Sequence, residues 1–395
     1  MKKNYLSHIE LSKKNLIHNI KQFRRLAKKG TKLSVAIKGN AYGHGQNEIA
    51  KILETYVDYF QINSIEELGL LRKISKKKTL VLGYVQKDDL EKAIKLGCIL
   101  TAFSIEQIKH ISAMAEICKK VQEIHLPIDA HLGREGFLLE ELPKIFAEIK
   151  KCKFIKLTGI YAHFANIEDT RDFSHAQKQI NEYQKALELA FEFGFENPPR
   201  LGEAGLETHI SATSGLLIYE KNLGINSIIR LGIGVYGLWP SEDIKNIYKN
   251  KIELKPILSW KTKVAQIKIL PKGHSIGYGL TYITKKETKI AIIPQGYADG
   301  FDRGLSNKGE VLIGGTRCQI LGRVSMNMFA VDVSRLPNVK AEDEVVIIGT
   351  QGREPARLNS RSGGEITAEE MAEKIDTINY EITTRISSLL PRIVL

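Results

Sequence analysis

Cysteine is scarce in this chain: Cys98, Cys118, Cys152 and Cys318 are the four in 395 residues, and none forms a C-x-x-C pair. That spacing excludes a disulfide framework and a zinc ribbon, and is expected of reduced thiols. The ten histidines are scattered, with no carboxylate at metal-ligand spacing, so no metal centre is expected. No apolar run approaches the ~20 residues that cross a bilayer, and no apolar stretch follows Met1-Lys-Lys-Asn. The expectation is a cytoplasmic protein with no membrane partner. No G-x-G-x-x-G turn follows the first strand candidate, which argues against a doubly wound dinucleotide-binding sheet.

Negative charge is in the minority, with 45 acidic against 58 basic residues and a net charge of +13. The lysines are spread along the chain, and the densest run, Lys76-Lys77-Lys78, has no interleaved aromatics. This is the pattern of a solvated basic surface, and no nucleic-acid partner is expected. Such a surface favours an anionic small molecule, for example a phosphate ester.

Alternating strand-like and helix-like segments fill the first 240 residues. The strand candidates are Leu33–Ile37, Tyr59–Asn63, Thr79–Gly83, Ile99–Phe103, Glu123–Asp129, Lys156–His163, His209–Ala212 and Ile228–Leu231. Amphipathic helical stretches separate most of them, beginning with Lys13–Ala27 behind a Ser12 cap. Eight such repeats over this length predict an α/β fold, an N-terminal (β/α)8 TIM-type barrel. Past Pro240 the helices stop. Strand-like segments at Ile257–Ile269, Ser275–Tyr282, Lys289–Pro294, Glu310–Ile313, Cys318–Val324, Met328–Val333 and Glu344–Ile348 predict a mostly-β C-terminal domain. The expected division is 1–245 and 246–395, with Ser241–Lys255 as a charged linker and the first residues of the chain free to pack on the C-terminal domain. A loop rich in Arg, Ser and Gly, Gln351–Gly364, is expected to be mobile, and Thr367 with Glu370 forms a capping box for a closing helix.

In such a barrel, the strands' C-terminal ends face the active site. Lys38 ends the first strand, in Ser34-Val-Ala-Ile-Lys38-Gly-Asn40-Ala-Tyr42-Gly-His44-Gly45, where its amine can meet a carbonyl compound while its stem stays in the core. Arg134 follows the fifth strand, and Tyr161 and His163 end the sixth. Ser211, Thr213 and Ser214 follow the seventh, and Arg230, Gly232 and Ile233 lie at the eighth. Hydroxyls and backbone N–H groups after strands seven and eight suit a phosphate dianion. Together these residues fit pyridoxal 5'-phosphate. Lys38 would form the Schiff base, His163 would lie against the ring and Arg230 would meet the pyridine nitrogen.

Several motifs in the chain are similar to those of alanine racemases, essentially end to end. They are VAIKGNAYGHG at Val35–Gly45, the Gly133–Phe137 stretch, YAHF at Tyr161–Phe164 and RLGIGVYG at Arg230–Gly237. In the second domain they are GYGLTY at Gly277–Tyr282, GYADG at Gly296–Gly300, GRVSM at Gly322–Met326 and TINYE at Thr377–Glu381. The resemblance implies a racemase that interconverts L- and D-alanine with pyridoxal phosphate and supplies D-alanine for peptidoglycan. It implies two bases on opposite faces of the substrate, Lys38 and Tyr278. It also implies a homodimer with shared active sites, in which Tyr278 reaches the partner's barrel. By the same resemblance Tyr42, Thr213, Gly232, Ile233 and Tyr380 would hold the phosphate. Arg134 would contact the ring hydroxyl and, with Met326, the substrate carboxylate. His44 is expected to shape the turn only.

The chain departs from the family pattern in places. Pro127 stands where the family commonly has a lysine, often carbamylated, that helps position the arginine. His131 replaces a glycine, Ala212 an asparagine, and Asn327 an aspartate. Neither expected base is touched. Two other readings are carried forward: a racemase of another small amino acid such as serine, and a non-catalytic pyridoxal-phosphate carrier.

Overall fold

A computed structural model describes residues 5–195, 205–219, 225–352 and 364–395. The chain divides into two compact units. One contains Asn15–Gly39 and Ile49–Pro256; the other contains Met1–Lys14, Asn40–Glu48 and Ile257–Leu395, so far as these are described.

The first unit is the barrel. Its eight parallel strands are Lys32–Ala36, Tyr59–Ile62, Thr79–Val81, Ile99–Thr101, Gln122–Pro127, Ile155–Tyr161, Glu207–His209 and Ile228–Leu231. They neighbour one another in chain order, and the eighth pairs with the first. Most of the strands are rich in apolar residues and nearly all their residues are buried, as in parallel strands between helices and barrel interior; the seventh, Glu207-Thr-His209, is polar and buried all the same. The seventh and eighth form no ladder. Hydrogen bonds from Ser227 N to Thr208 O (2.8 Å) and from Arg230 N to Ser211 O (3.0 Å) join them instead. The seventh strand also ends earlier than expected. The Asn226 side-chain oxygen accepts from the backbone N–H groups of Ile210 and Ser211, which takes these residues out of regular pairing. The expected linker contains a helix, Glu242–Tyr248, capped by the Ser241 hydroxyl.

The second unit is mostly β. Its large sheet runs from Gln266–Leu270 through Thr288–Ile293, Phe329–Asp332, Thr316–Leu321, Glu310–Ile313 and Glu344–Thr350 to Leu258–Lys263. It is completed by three strands that sequence reading missed, one of them Glu365–Ile366, antiparallel to Glu344–Thr350. His8–Leu11 lies antiparallel to Leu258–Lys263, and Arg392–Val394 lies parallel to His8–Leu11. The strand Leu258–Lys263 alternates buried and half-buried residues, and Trp260 and Thr262 point inward. Trp260 donates to Gln295 (2.9 Å), and Phe301 stacks on Phe329 at 4.6 Å. Thr367 caps the helix Ala368–Lys374 by accepting from Glu370 N (3.0 Å), but the expected reciprocal bond is missing. The Glu370 carboxylate is spent on Arg317 and Lys374. Residues 353–363 of the expected mobile loop lie outside the described residues.

One local feature is unusual. After Lys38, five residues run in the left-handed region: Gly39 (φ 61°), Asn40 (53°), Ala41 (54°), Tyr42 (53°) and Gly43 (82°). A non-glycine residue there costs roughly 1–2 kcal/mol, so the turn must be held from outside. Asn40 O and its side-chain oxygen accept from Gly45 N (2.8 Å) and Gln46 N (2.9 Å). His44 Nδ1 lies 2.9 Å from Ala41 O and 3.0 Å from Tyr42 O, so this nitrogen carries the proton. Burial foremost, with the charge of Arg392, holds this imidazole down to about 4 against those two bonds, so it stays neutral. At Gly43 a Cβ would lie 1.8 Å from Thr383 O. Gly43→Ala should therefore cost roughly 2–5 kcal/mol, the sum of left-handed strain and overpacking. Urea unfolding of the purified variant checks this.

Candidate active site

Lys38 is half-buried just beyond the first barrel strand, which ends at Ala36. Ile37 N still donates to Gln61 O (2.8 Å), and Gly39 N donates to Glu67 (2.7 Å), so the backbone is anchored on both sides of the lysine. Burial lowers the affinity of the Lys38 amine for its proton, and the charges of Arg134 and Arg230 lower it further, against the opposing carboxylates of Glu135 and Glu67. A larger share of this amine is neutral at neutral pH than for a surface lysine.

Arg230 is buried inside the barrel. Its Nη2 donates to Ala162 O (2.5 Å), Ile210 O (3.3 Å) and His163 Nδ1 (3.3 Å), and its Nη1 to His209 Nδ1 (3.0 Å). Its guanidinium carbon lies 4.9 Å from the centre of the Tyr161 ring. Burial lowers its pKa, but an arginine keeps its charge. His163 is held down to about 3, by burial first and then by the charges of Arg230, Arg134 and Lys38. It is therefore a neutral ring, and its proton sits on Nε2 because Nδ1 faces a guanidinium.

Arg134 has its fork on the adjacent Glu135, through Nε and through Nη2 (2.8 Å to Oε1). This pairing raises its pKa. Asp129, five residues earlier, accepts from Leu132 N (2.9 Å) and Gly133 N (2.8 Å). Thr213 Oγ1 accepts from Gly232 N (3.1 Å). The short helix Ile233–Tyr236 starts after Gly232 with no side chain capping it, which leaves its first turn open to an anion. The donor set on this unit therefore suits a phosphorylated aldehyde: a depressed amine, a neutral imidazole, a buried guanidinium and an uncapped turn.

In the sheet unit, Tyr42 and Tyr380 lie together, with ring centres 5.9 Å apart. Tyr278 is not on a strand. Gly277 (φ 74°), Gly279 (φ 70°) and Leu280 (φ 52°) break the expected strand into a 3-10 turn that carries Tyr278 at 72% exposure. Met326 is also exposed.

Sequence reading missed a group in the barrel interior. Glu207, at the start of the seventh strand, accepts from Lys32 (2.6 Å) and Tyr59 (2.5 Å) and faces His125 Nε2 at 3.5 Å. His125 Nδ1 lies 2.9 Å from His209 Nε2. Burial works to raise the Glu207 carboxyl, but His125, Lys32 and Tyr59 outweigh it and hold it down to about 2. Its folded pKa is below the ordinary 4.5, so the stabilisation is complete above pH 4.5 and is lost as pH falls towards 2. Glu207→Gln should flatten the stability loss in that window by on the order of 3 kcal/mol. Urea midpoints at stepped pH measure it.

An eight-stranded parallel barrel with a lysine-centred basic mouth, joined to a mostly-β domain, places the chain among barrel-plus-sheet proteins. Residues 11–240 match the family model "Alanine racemase, N-terminal domain" and residues 257–394 match "Alanine racemase, C-terminal domain". The chain belongs to the alanine racemase family. It is 35% identical to an alanine racemase of Leptospira interrogans, over all of this chain and 97% of that one. Alanine racemase of Bacillus anthracis with bound L-Ala-P superposes with a TM-score of 0.88 at 31% identity, covering all of this chain and 96% of that one. A histidine racemase from Leuconostoc mesenteroides superposes with a TM-score of 0.83 at 25% identity, covering all of this chain and 99% of that one.

Proposed function

We propose that this protein interconverts L- and D-alanine at the barrel mouth, with pyridoxal phosphate held by Lys38, and that its D-alanine feeds peptidoglycan synthesis in the cytoplasm. The observation that carries the reading is the Lys38 amine, with its depressed proton affinity, in the field of the buried Arg230. When bound, pyridoxal phosphate supplies an electron sink that makes the α-hydrogen of an amino acid acidic. Thr213, Gly232 and Ile233, with Tyr42 and Tyr380, would hold the phosphate, and His163 would support the ring. Arg134 would serve the ring hydroxyl and the substrate carboxylate, the latter with Met326. For either task Arg134 must share its fork with Glu135 or release it. Arg230, as a donor that keeps its protons, would meet the ring nitrogen without protonating it. This restrains charge delocalisation and, with it, side reactions such as transamination.

Racemisation needs a proton removed from one face of Cα and returned on the other. Lys38 and Tyr278 are the two groups we assign to those faces. Tyr278, Leu280, Ile283, Met326 and Met328 are each exposed, and a second copy of the chain in a homodimer would cover them.

The test is a chiral assay of protein reconstituted with pyridoxal phosphate, run against L-alanine, L-serine and L-histidine. Alanine should give the highest kcat/KM. The histidine panel member is included because a protein of this fold is a histidine racemase. A higher value for serine or histidine would replace the substrate and keep the chemistry. Absence of deuterium wash-in at Cα for every substrate would reduce the protein to a carrier.

A further inference from the structure

We propose that His125, deep in the barrel, is a positioning residue for Arg230, acting on it through His209 in a relay whose two hydrogen bonds point one way, towards Glu207. The proposal rests on the reading that Arg230 faces the cofactor ring.

The direction follows from the arginine. A guanidinium has only donors. Arg230 Nη1 is 3.0 Å from His209 Nδ1, so that nitrogen must accept, and the His209 proton sits on Nε2. His209 Nε2 is 2.9 Å from His125 Nδ1, which must accept in turn. The His125 proton therefore sits on Nε2, facing Glu207 Oε2 at 3.5 Å. Adding a second proton to either ring would set two donors against each other. Among the described residues neither His125 Nε2 nor Glu207 Oε2 makes a hydrogen bond, and at 3.5 Å the two face each other. The opposite carboxylate oxygen is taken by Lys32 and Tyr59.

The rings have little freedom to do otherwise. His125 and His209 are fully buried, so no bulk water can replace a lost partner. His209 stacks on Tyr161 at 5.0 Å and 9°, and Tyr161 is also the ring beneath the Arg230 guanidinium. Gly159 is paired with His125 across the fifth and sixth strands, and a Cβ there would lie 2.5 Å from His125 Cε1 and Nε2. The glycine makes the room that the imidazole occupies. Without the acceptor at His125, His209 can turn over or change tautomer and present an N–H to Arg230. The guanidinium then loses one of the bonds that fix its plane.

The test uses 15N-histidine-labelled protein, with and without pyridoxal phosphate, and the variants His125→Leu, His125→Asn and Gly159→Ala. In the wild type both imidazoles should be neutral with the proton on Nε2, and a scalar coupling should connect His209 Nε2 to His125 Nδ1. His125→Leu should lose the single His209 tautomer and lower kcat about tenfold while KM changes little. His125→Asn puts an amide oxygen near the position of Nδ1 and should recover most of kcat and the tautomer. Gly159→Ala, which leaves His125 in place but crowds its ring, should resemble His125→Leu. An Nδ1 proton on either ring, an unchanged His209 signal and kcat in His125→Leu, or an asparagine variant as impaired as the leucine one would each overturn the proposal. If His125→Leu does not fold, the wild-type spectrum and the other two variants still decide. A protein that takes up no pyridoxal phosphate would overturn the proposed function instead, and the tautomers read without cofactor would stand.

Discussion

Lys38→Ala should lower racemisation of L-alanine by at least about a thousandfold and abolish stable retention of pyridoxal phosphate. The expected loss is large because the proposed mechanism gives one side chain two duties, holding the cofactor and moving a proton. Its surroundings prepare it for both. Burial and two guanidinium charges destabilise the ammonium form, so the neutral amine is available at a pH where a surface lysine is charged. The rate of cofactor uptake should accordingly rise with pH through a midpoint below lysine's ordinary 10.5. Borohydride reduction followed by peptide mapping of the wild type should place the pyridoxyl mass on Lys38. Undiminished racemisation in the alanine variant, or the mass on another lysine, would remove Lys38 from the mechanism.

Tyr278→Phe should lower racemisation by about 10²–10⁴-fold, the range for loss of a proton-transfer group, while cofactor retention and the fold are kept. The side chain is exposed on a turn framed by two glycines, so deletion of one hydroxyl disturbs no packing. Exchange at Cα discriminates the mechanism. With two bases, the variant should still exchange the α-hydrogen of one enantiomer with solvent deuterium and fail with the other; equal loss for both would mean one base. The shared-site dimer is tested with the same variants. Co-refolded Lys38→Ala and Tyr278→Phe subunits form heterodimers with one intact pair of bases. A random mixture should regain about a quarter of wild-type activity. No recovery despite dimers would place Lys38 and Tyr278 of one site on one chain.

The barrel strands were legible because parallel strands buried on both faces are written as short apolar runs between amphipathic helices. Their ends were less so. The seventh strand is cut short by a side chain, Asn226, that lies outside it, and strand patterning carries no record of such capture. Tyr278 read as a strand residue because its flanking glycines look like weak strand positions; only their positive φ values reveal a turn. The two terminal strands were missed because each is short and pairs with residues far away in the chain. At the proposed site, motifs and strand ends suggest individual residues, but carry no record of their hydrogen-bond partners. Arg134 has two carboxylates near it in sequence, and the fold pairs it with Glu135 while Asp129 is taken by the backbone of Leu132 and Gly133. The His125–His209 contact spans 84 residues and exists because the barrel brings the fifth and seventh strands' interior faces together.

The turn that follows Lys38 has a stereochemical consequence. Asn40, Ala41 and Tyr42 adopt the screw sense natural to the mirror-image amino acids. A D-alanine placed at position 41 by chemical ligation would relieve roughly 1–2 kcal/mol there, because its Cβ would point away from the carbonyl that crowds the L-residue. The chain thus holds three left-handed residues of ordinary chirality a few positions beyond the lysine proposed to invert chirality in its substrate.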